Sequence, residues 1–179
     1  MNEDALRILR GARFVNMLNQ SIKIEKVTQD PPSHFDFDTA TWKAMQKSYF
    51  LVTSLPKERI HQELMKVFSK DKAFEYIAVI DELGLIPHLF PALERCKGVL
   101  QPVRYHPLDV YFHTLMVLRA LQERNKNPLL KLSALYHDVG KVDQFRFFSL
   151  NISKEEKALP LAHHMYHTHL GLELARQDF

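Results

Sequence analysis

Apolar residues recur three or four positions apart along most of this chain, and that spacing constrains its fold more than any other feature. It predicts amphipathic helices over residues 3–19, 38–50, 56–68, 71–83, 107–124 and 128–140. A further helix is expected to begin in the histidine-rich segment and to carry Leu170, Leu172 and Leu174. No stretch alternates apolar and polar residues with the β-branched richness of strands. The sequence therefore predicts an all-α protein.

Prolines, a glycine and an aspartate predict where several of these helices begin and end. Pro56, Pro107 and Pro128 each suit the first turn of a helix, because the backbone N–H that proline lacks has no partner within the helix there. Gly84 suits the end of the fourth helix. Asp38 is expected to cap the helix that follows it, since its side chain can accept hydrogen bonds from the first free N–H groups.

Two irregular segments divide the chain. Residues 20–36 lack periodicity and include the run Asp-Pro-Pro-Ser at 30–33, which breaks helices and predicts a surface loop. Prolines also punctuate the segment 99–107. We therefore predict a boundary there between an N-terminal part, residues 1–100, and a C-terminal part, residues 101–179.

The composition limits the class of protein to which this chain can belong and the cellular compartment in which it can work. With 179 residues and 46% hydrophobic content, the chain can bury an ordinary globular core. The net charge of +3 is compatible with nucleic acid but too mild to demonstrate binding. Cys96 is the single cysteine, which excludes an intramolecular disulfide and fits a reducing compartment. No apolar run suits a membrane span and no signal peptide is visible, so we expect a cytoplasmic protein without a membrane partner.

Histidines concentrate in the second half of the chain. Seven of the ten lie between positions 106 and 169, and the pair His137-Asp138 sits among them. Imidazole and carboxylate together are typical ligands of a catalytic divalent metal. Asp138 follows apolar residues on a helix that looks buried, and a buried carboxylate without a cation or a donor is costly. The pattern therefore predicts a metal site at the pair.

Other side chains near this site have two possible roles. His163 and His167 are four residues apart, so they share one helix face and suit a second metal or a substrate phosphate; a solvated histidine-rich turn is the alternative. Lys141 can neutralise phosphate charge, or it can simply be a favourable partner of the helix dipole. Taken alone, His113 also fits a core histidine bonded to a backbone carbonyl. The ligand types accommodate zinc, nickel, cobalt, manganese or iron.

The spacing of these residues resembles the HD superfamily of metal-dependent phosphohydrolases. The matching motifs are Tyr-Phe-His-Thr-Leu at 111–115, His-Asp-Val-Gly-Lys at 137–141, and His167 four residues before Gly171. The resemblance implies that His113, His137 and Asp138 bind a divalent metal ion, with His163 and His167 as auxiliary histidines. It also implies hydrolysis of a phosphoester by a metal-activated water. We predict catalytic roles for His137, Asp138 and Lys141.

The first hundred residues are similar to a second family, the CCA-adding tRNA nucleotidyltransferases and poly(A) polymerases. The run Glu-Asp-Ala-Leu-Arg-Ile-Leu-Arg-Gly-Ala-Arg-Phe at 3–14 matches one of its signatures, and matches at 35–38, 56–60, 82–85 and 89–91 follow in the same order. Many bacterial members carry an HD domain at the C-terminal end. The likeness therefore covers nearly the whole chain and implies tRNA or another RNA as partner.

The 3–14 signature also implies a nucleotide site. Asp4 and Arg7 are three apart on a helix, so a carboxylate acceptor and a guanidinium donor lie on one face and can read the edge of a nucleobase. In the family these positions select CTP and ATP. We carry that role to Asp4 and Arg7 with Glu3 in support, and place Arg10 near the triphosphate or the RNA. A surface ion pair on an amphipathic helix is the plain alternative.

Two parts of these families are expected to lie outside the chain as written. The catalytic head, whose paired aspartates hold Mg²⁺, would precede Glu3, and the last aspartate ligand of the HD site would lie beyond Phe179. We therefore expect a neck, a body and an incomplete HD domain that by themselves do not add nucleotides. A non-catalytic RNA-binding helical module and a free-standing HD nucleotidase or phosphodiesterase are the alternatives. The sequence does not specify the oligomeric state.

Overall fold

The computed structural model describes residues 5–21, 36–101, 108–143 and 160–178, and the regular structure in these ranges is entirely helical. Short helices account for the middle of the chain and longer ones for its two ends. The α-helices are α1 (Leu6–Ser21), α2 (Thr39–Ser48), α3 (Lys57–Phe68), α4 (Ala73–Glu82), α5 (Ile86–Leu89), α6 (Pro91–Glu94), α7 (Val110–Gln122), α8 (Pro128–Tyr136) and α9 (Pro160–Asp178), with a 3-10 helix at Tyr49–Ser54. The all-α prediction is confirmed.

Side-chain caps set the start of three helices. Asp38 accepts hydrogen bonds from the N–H groups of Ala40 and Thr41, each at 3.0 Å, as predicted for the start of α2. Asn127 caps α8 in the same manner. Asp109 caps α7 with one carboxylate oxygen and accepts the N–H of Gly98 with the other. These caps satisfy N–H groups that have no partner inside a helix.

Three predicted helix boundaries are wrong by a few residues. The helix expected from Pro107 begins at Val110, because the cap at Asp109 fixes the first turn there. The helix expected to reach residue 140 ends at Tyr136, and residues 137–140 form a turn. The helix expected through residue 50 changes to the 3-10 helix after Ser48. Gly84 does end α4, with φ of 74°, a conformation that favours glycine.

One hydrophobic core joins both parts of the chain. α1 packs on α3 and α4, α4 packs on α7, and α7 packs on α8, which also contacts α3. The buried cluster runs from Ala5, just before α1, to Val142, after α8. Residues 22–35 of the predicted loop at 20–36 and residues 102–107 of the predicted boundary at 99–107 lie outside the described residues, and α1 extends to Ser21, two residues into the predicted loop. Among the helices that are described, none is long and apolar enough to cross a membrane.

Candidate metal centre

The end of α8 directs two neighbouring side chains to one point. His137 is the residue that follows the last turn of α8, and Asp138 lies in the tight turn after it. On a continuous helix these adjacent residues would point about 100° apart. His137 itself keeps helical backbone angles, with φ of −60° and ψ of −32°. Its ring is nevertheless long enough to bring Nε2 to 3.3 Å from Asp138 Oδ2, and the His113 ring of α7 lies beside both residues.

Three ligand atoms converge at this point. The Nε2 atoms of His113 and His137 lie 3.4 Å and 3.3 Å from Asp138 Oδ2, and one ligand atom from each of the three residues lies within 4.8 Å of the others. Two ligands each about 2.1 Å from a tetrahedral metal are separated by about 3.4 Å. The donor types and their separations therefore fit a divalent metal. No other such trio occurs among the described residues.

A backbone carbonyl fixes the orientation of the His137 ring. His137 Nδ1 lies 2.8 Å from the carbonyl oxygen of Ala134 and donates to it when the proton is on Nδ1. In that neutral tautomer the Nε2 lone pair can ligate a metal, which is the arrangement that metal-binding histidines usually adopt, whereas in the protonated ring Nε2–H donates to Asp138. The rings of His113 and His137 lie 5.5 Å apart and tilted by 54°.

Asp138 is a buried carboxylate with cationic neighbours. Only 6% of its side chain is exposed, and Lys141 Nζ lies 2.6 Å from its Oδ2. Burial alone would raise the pKa of Asp138, but the hydrogen bonds from His137 and Lys141 outweigh it and hold that pKa well below its usual range. Burial likewise disfavours charged His137, yet contact with Asp138 raises the pKa of His137 on balance. The carboxylate is therefore ionised and ready to ligate a cation.

Close packing of α9 brings His167 to the same carboxylate. Gly140 and Gly171 lie where any side chain would collide with backbone, at His167 and at the Tyr136 carbonyl respectively. This contact places His167 Nε2 3.8 Å from Asp138 Oδ1. His163 is on the same helix, but its side chain lies outside the described part of the structure.

The residues proposed for nucleotide binding are only partly described. Glu3 and Asp4 lie outside the described residues, whereas Arg7 is exposed on α1. Arg10 Nε lies 3.6 Å from Glu63 of α3, and 42% of the Arg10 side chain remains exposed. The pairing of Asp4 with Arg7 therefore stays a prediction.

Two further aspartates of the C-terminal part, Asp143 and Asp178, have partners outside the metal centre. Asp143, which follows Lys141 closely in sequence, forms an ion pair with Arg95. Asp178 accepts a hydrogen bond from the Tyr136 hydroxyl at 2.7 Å. The first contact joins the HD-like part to the residue that follows α6, and the second joins α8 to α9 within the HD-like part.

Gln101 is a site residue that the sequence did not indicate. It is buried, and its Oε1 accepts a hydrogen bond from Lys141 Nζ at 2.8 Å. A single glutamine beside Pro102 has no motif to mark it. Gln101 and Lys141 are 40 residues apart in sequence, so their contact forms only once the chain has folded.

An all-α body in which His113, His137 and Asp138 converge defines a class of helical proteins with a candidate His-His-Asp metal site. Comparison with family models narrows the class. The model described as "Probable RNA and SrmB- binding site of polymerase A" matches residues 34–97, and the model of the HD domain matches residues 103–179. The chain belongs to the CCA-adding tRNA nucleotidyltransferase and poly(A) polymerase family and carries an HD domain, which confirms both resemblances.

Related proteins support this assignment. The chain is 32% identical over 183 residues to the Multifunctional CCA protein of Actinobacillus pleuropneumoniae serotype 5b, covering 98% of this chain and 39% of that protein. It is 33% identical over 144 residues to the protein of the same name from Thioalkalivibrio sulfidiphilus, covering 78% of this chain and 32% of that protein. The chain thus spans about a third of the length of the curated relatives it matches. No solved structure matches the chain.

Proposed function

We propose that this chain provides the RNA-binding body and the metal-dependent phosphohydrolase site of an enzyme that acts on the 3′ end of tRNA in the cytoplasm. The observation that carries the proposal is the convergence of His113, His137 and Asp138, at separations that suit ligands of one metal. The match of residues 34–97 to an RNA-binding region and the Multifunctional CCA relatives support RNA as partner.

The site residues suit hydrolysis of a phosphoester. His113, His137 and Asp138 would hold a divalent metal, with His163 and His167 as auxiliary histidines. Such a metal supplies a bound water of lowered pKa as nucleophile. Asp138 keeps its negative charge in a buried setting, and His137 is held by Ala134 with Nε2 toward the site. Lys141 lies beside Asp138 with 16% of its side chain exposed, where its ammonium can meet the negative charge of a phosphate.

Charge and exposure on α1 support a nucleotide or RNA contact. Arg7 is exposed, so its guanidinium is accessible to a base or a phosphate. Glu3 and Asp4 would complete the edge-reading group that the family uses. Arg10 is partly committed to Glu63 and would approach a phosphate with its exposed portion.

Metal content and hydrolysis test the phosphohydrolase assignment together. We expect about one divalent metal per chain and metal-dependent cleavage of a phosphomonoester or a cyclic phosphodiester. Asp138→Asn and His137→Ala should each abolish both, because each removes a ligand. His169→Ala is the matched control, since His169 is exposed on α9. Hydrolysis that survives both ligand substitutions would refute the assignment, and metal-free protein that still binds tRNA would favour a non-catalytic RNA-binding module.

Nucleotide addition tests the other half of the proposal. We expect the purified chain to incorporate neither CTP nor ATP into tRNA that lacks its CCA end. We also expect Arg7→Ala to weaken binding of tRNA or nucleotide. Robust incorporation would contradict the first expectation, and unchanged binding by Arg7→Ala would favour a free-standing HD nucleotidase in which the first hundred residues are only scaffold.

A further inference from the structure

Lys141 lies between two oxygen acceptors inside the metal centre. Its Nζ donates to Asp138 Oδ2 at 2.6 Å and to Gln101 Oε1 at 2.8 Å. Asp138 and Gln101 are both buried, and Lys141 is mostly covered. The ammonium is therefore held by a carboxylate on one side and by a neutral amide on the other.

The carboxylate oxygen that binds Lys141 is the one that a metal would need. The Nε2 atoms of His113 and His137 approach the same Asp138 Oδ2 at 3.4 Å and 3.3 Å. An ammonium and a divalent cation on one buried oxygen repel each other strongly. A metal at this site would therefore weaken the hold of Asp138 on Lys141, and the ammonium would need another acceptor.

Gln101 is suited to be that acceptor. Its amide oxygen is neutral and is already in contact with Lys141, so it can keep the ammonium without a rearrangement of the backbone. Its Nε2 lies 3.4 Å from the carbonyl oxygen of Leu108, close to the start of the helix that carries His113. Gln101 falls between the stretches that the two family models match, 34–97 and 103–179.

We propose that Gln101 is a positioning residue of the metal centre, which retains the Lys141 ammonium when a divalent cation occupies His113, His137 and Asp138. This inference rests on the proposed function, because it requires a metal at those ligands. Its consequence is that Lys141 stays at the edge of the site, where it can meet a substrate phosphate, and competes less strongly with the metal for Asp138.

A double-mutant cycle tests whether Gln101 acts through Lys141. The affinity of the whole chain for Mn²⁺ is measured by isothermal titration calorimetry for the wild type, Gln101→Met, Lys141→Met and the double variant. Gln101→Met should weaken Mn²⁺ binding about tenfold, because Lys141 then depends on Asp138 alone. Lys141→Met should tighten it about tenfold by removing the competing cation. The double variant should match Lys141→Met within about twofold.

An additive cycle would overturn the proposal. If Gln101→Met weakened binding as much with methionine at 141 as with lysine, Gln101 would support the ligands by packing alone. An unchanged affinity in Gln101→Met would overturn it as well. Gln101→Asn provides the same comparison should Gln101→Met fold poorly, since it keeps the amide but withdraws it from Lys141.

A reference variant separates this inference from the proposed function. Asp138→Asn should abolish the binding heat if Mn²⁺ occupies the predicted ligands. Binding that persists in Asp138→Asn, or no binding by the wild type, would refute the metal site and the inference with it. Binding that depends on Asp138 but gives an additive cycle would refute only the role of Gln101.

Discussion

Glu63 is the charged residue that joins α1 to α3. Its side chain is 3% exposed, yet it accepts from Arg13 Nε at 3.1 Å and from Lys66 Nζ at 2.7 Å, with Arg10 3.6 Å away. Burial of a carboxylate is unfavourable, and these cations offset it. Arg10, which the sequence suggested for triphosphate or RNA contact, therefore also helps to offset the burial of Glu63.

We expect Glu63→Gln to lower the free energy of unfolding by about 2 kcal/mol, because Arg13 loses its buried partner. Chemical denaturation followed by circular dichroism measures the change. Glu123→Gln is the matched control, since Glu123 is exposed at the end of α7 and its loss should change stability by less than about 0.5 kcal/mol. A loss no larger than that of the control would mean that the ion pairs contribute nothing net.

The same residue predicts an acid-sensitive part of the stability. Burial would raise the pKa of Glu63, but Lys66 and Arg13 outweigh it and lower that pKa below the ordinary value of 4.5. A carboxylate with a lower pKa in the folded state stabilises the fold above its unfolded pKa, and this contribution is lost as the pH falls through the folded pKa. The difference in stability between wild type and Glu63→Gln should therefore be constant above about pH 5 and shrink below pH 4.5.

At the scale of helices, two glycines determine how closely α9 approaches the end of α8. A Cβ added at Gly171 would lie 2.5 Å from the Tyr136 carbonyl oxygen, which is backbone and cannot move aside as a side chain would. The Tyr136 hydroxyl also donates to Asp178, farther along α9. The position of His167 beside Asp138 depends on this packing.

Gly171→Ala is therefore expected to push α9 away, to destabilise the protein by about 2 kcal/mol and to weaken metal binding. Gly11→Ala is the matched control, because a Cβ there meets the Phe37 ring at an ordinary 3.4 Å and alanine favours a helix by up to about 1 kcal/mol. Thermal unfolding and metal titration of both variants measure the effects. If Gly171→Ala and Gly11→Ala had the same unfolding temperature, the close contact of Gly171 with the Tyr136 carbonyl would not be what holds α9 in place.

Helix positions could be predicted from the sequence more readily than the contacts between helices. The segments over α1, α3 and α4 show periodic apolar residues over several turns, so their spacing alone indicates helices. α5 and α6 have only four residues each, too few for a period to appear. The grouping of His113 with His137 and Asp138 followed from motif spacing. The contacts of Gln101 with Lys141 and of Arg10 with Glu63 depend on chain segments that meet only after folding.

At the scale of the whole molecule, the continuous core links the metal centre to the body. α7 carries His113 and packs on α4, while α4 also contacts α1. The buried residues form one cluster on both sides of the segment 99–107. Because the two parts share one buried cluster, stabilisation at the metal centre should be transmitted to the body.

Trp42 allows this coupling to be measured. It is the single tryptophan of the chain and lies on α2, with its ring centroid 5.6 Å from that of Phe37, in the body and not at the metal centre. A metal that binds only the folded state adds about 2.7 kcal/mol at one hundred times its dissociation constant. We expect metal to raise the midpoint of thermal unfolding equally by Trp42 fluorescence and by circular dichroism, and Asp138→Asn to remove both shifts. If metal shifted the circular dichroism transition while that of Trp42 stayed fixed, the HD domain and the body would unfold as separate units, and the continuous core would not couple them.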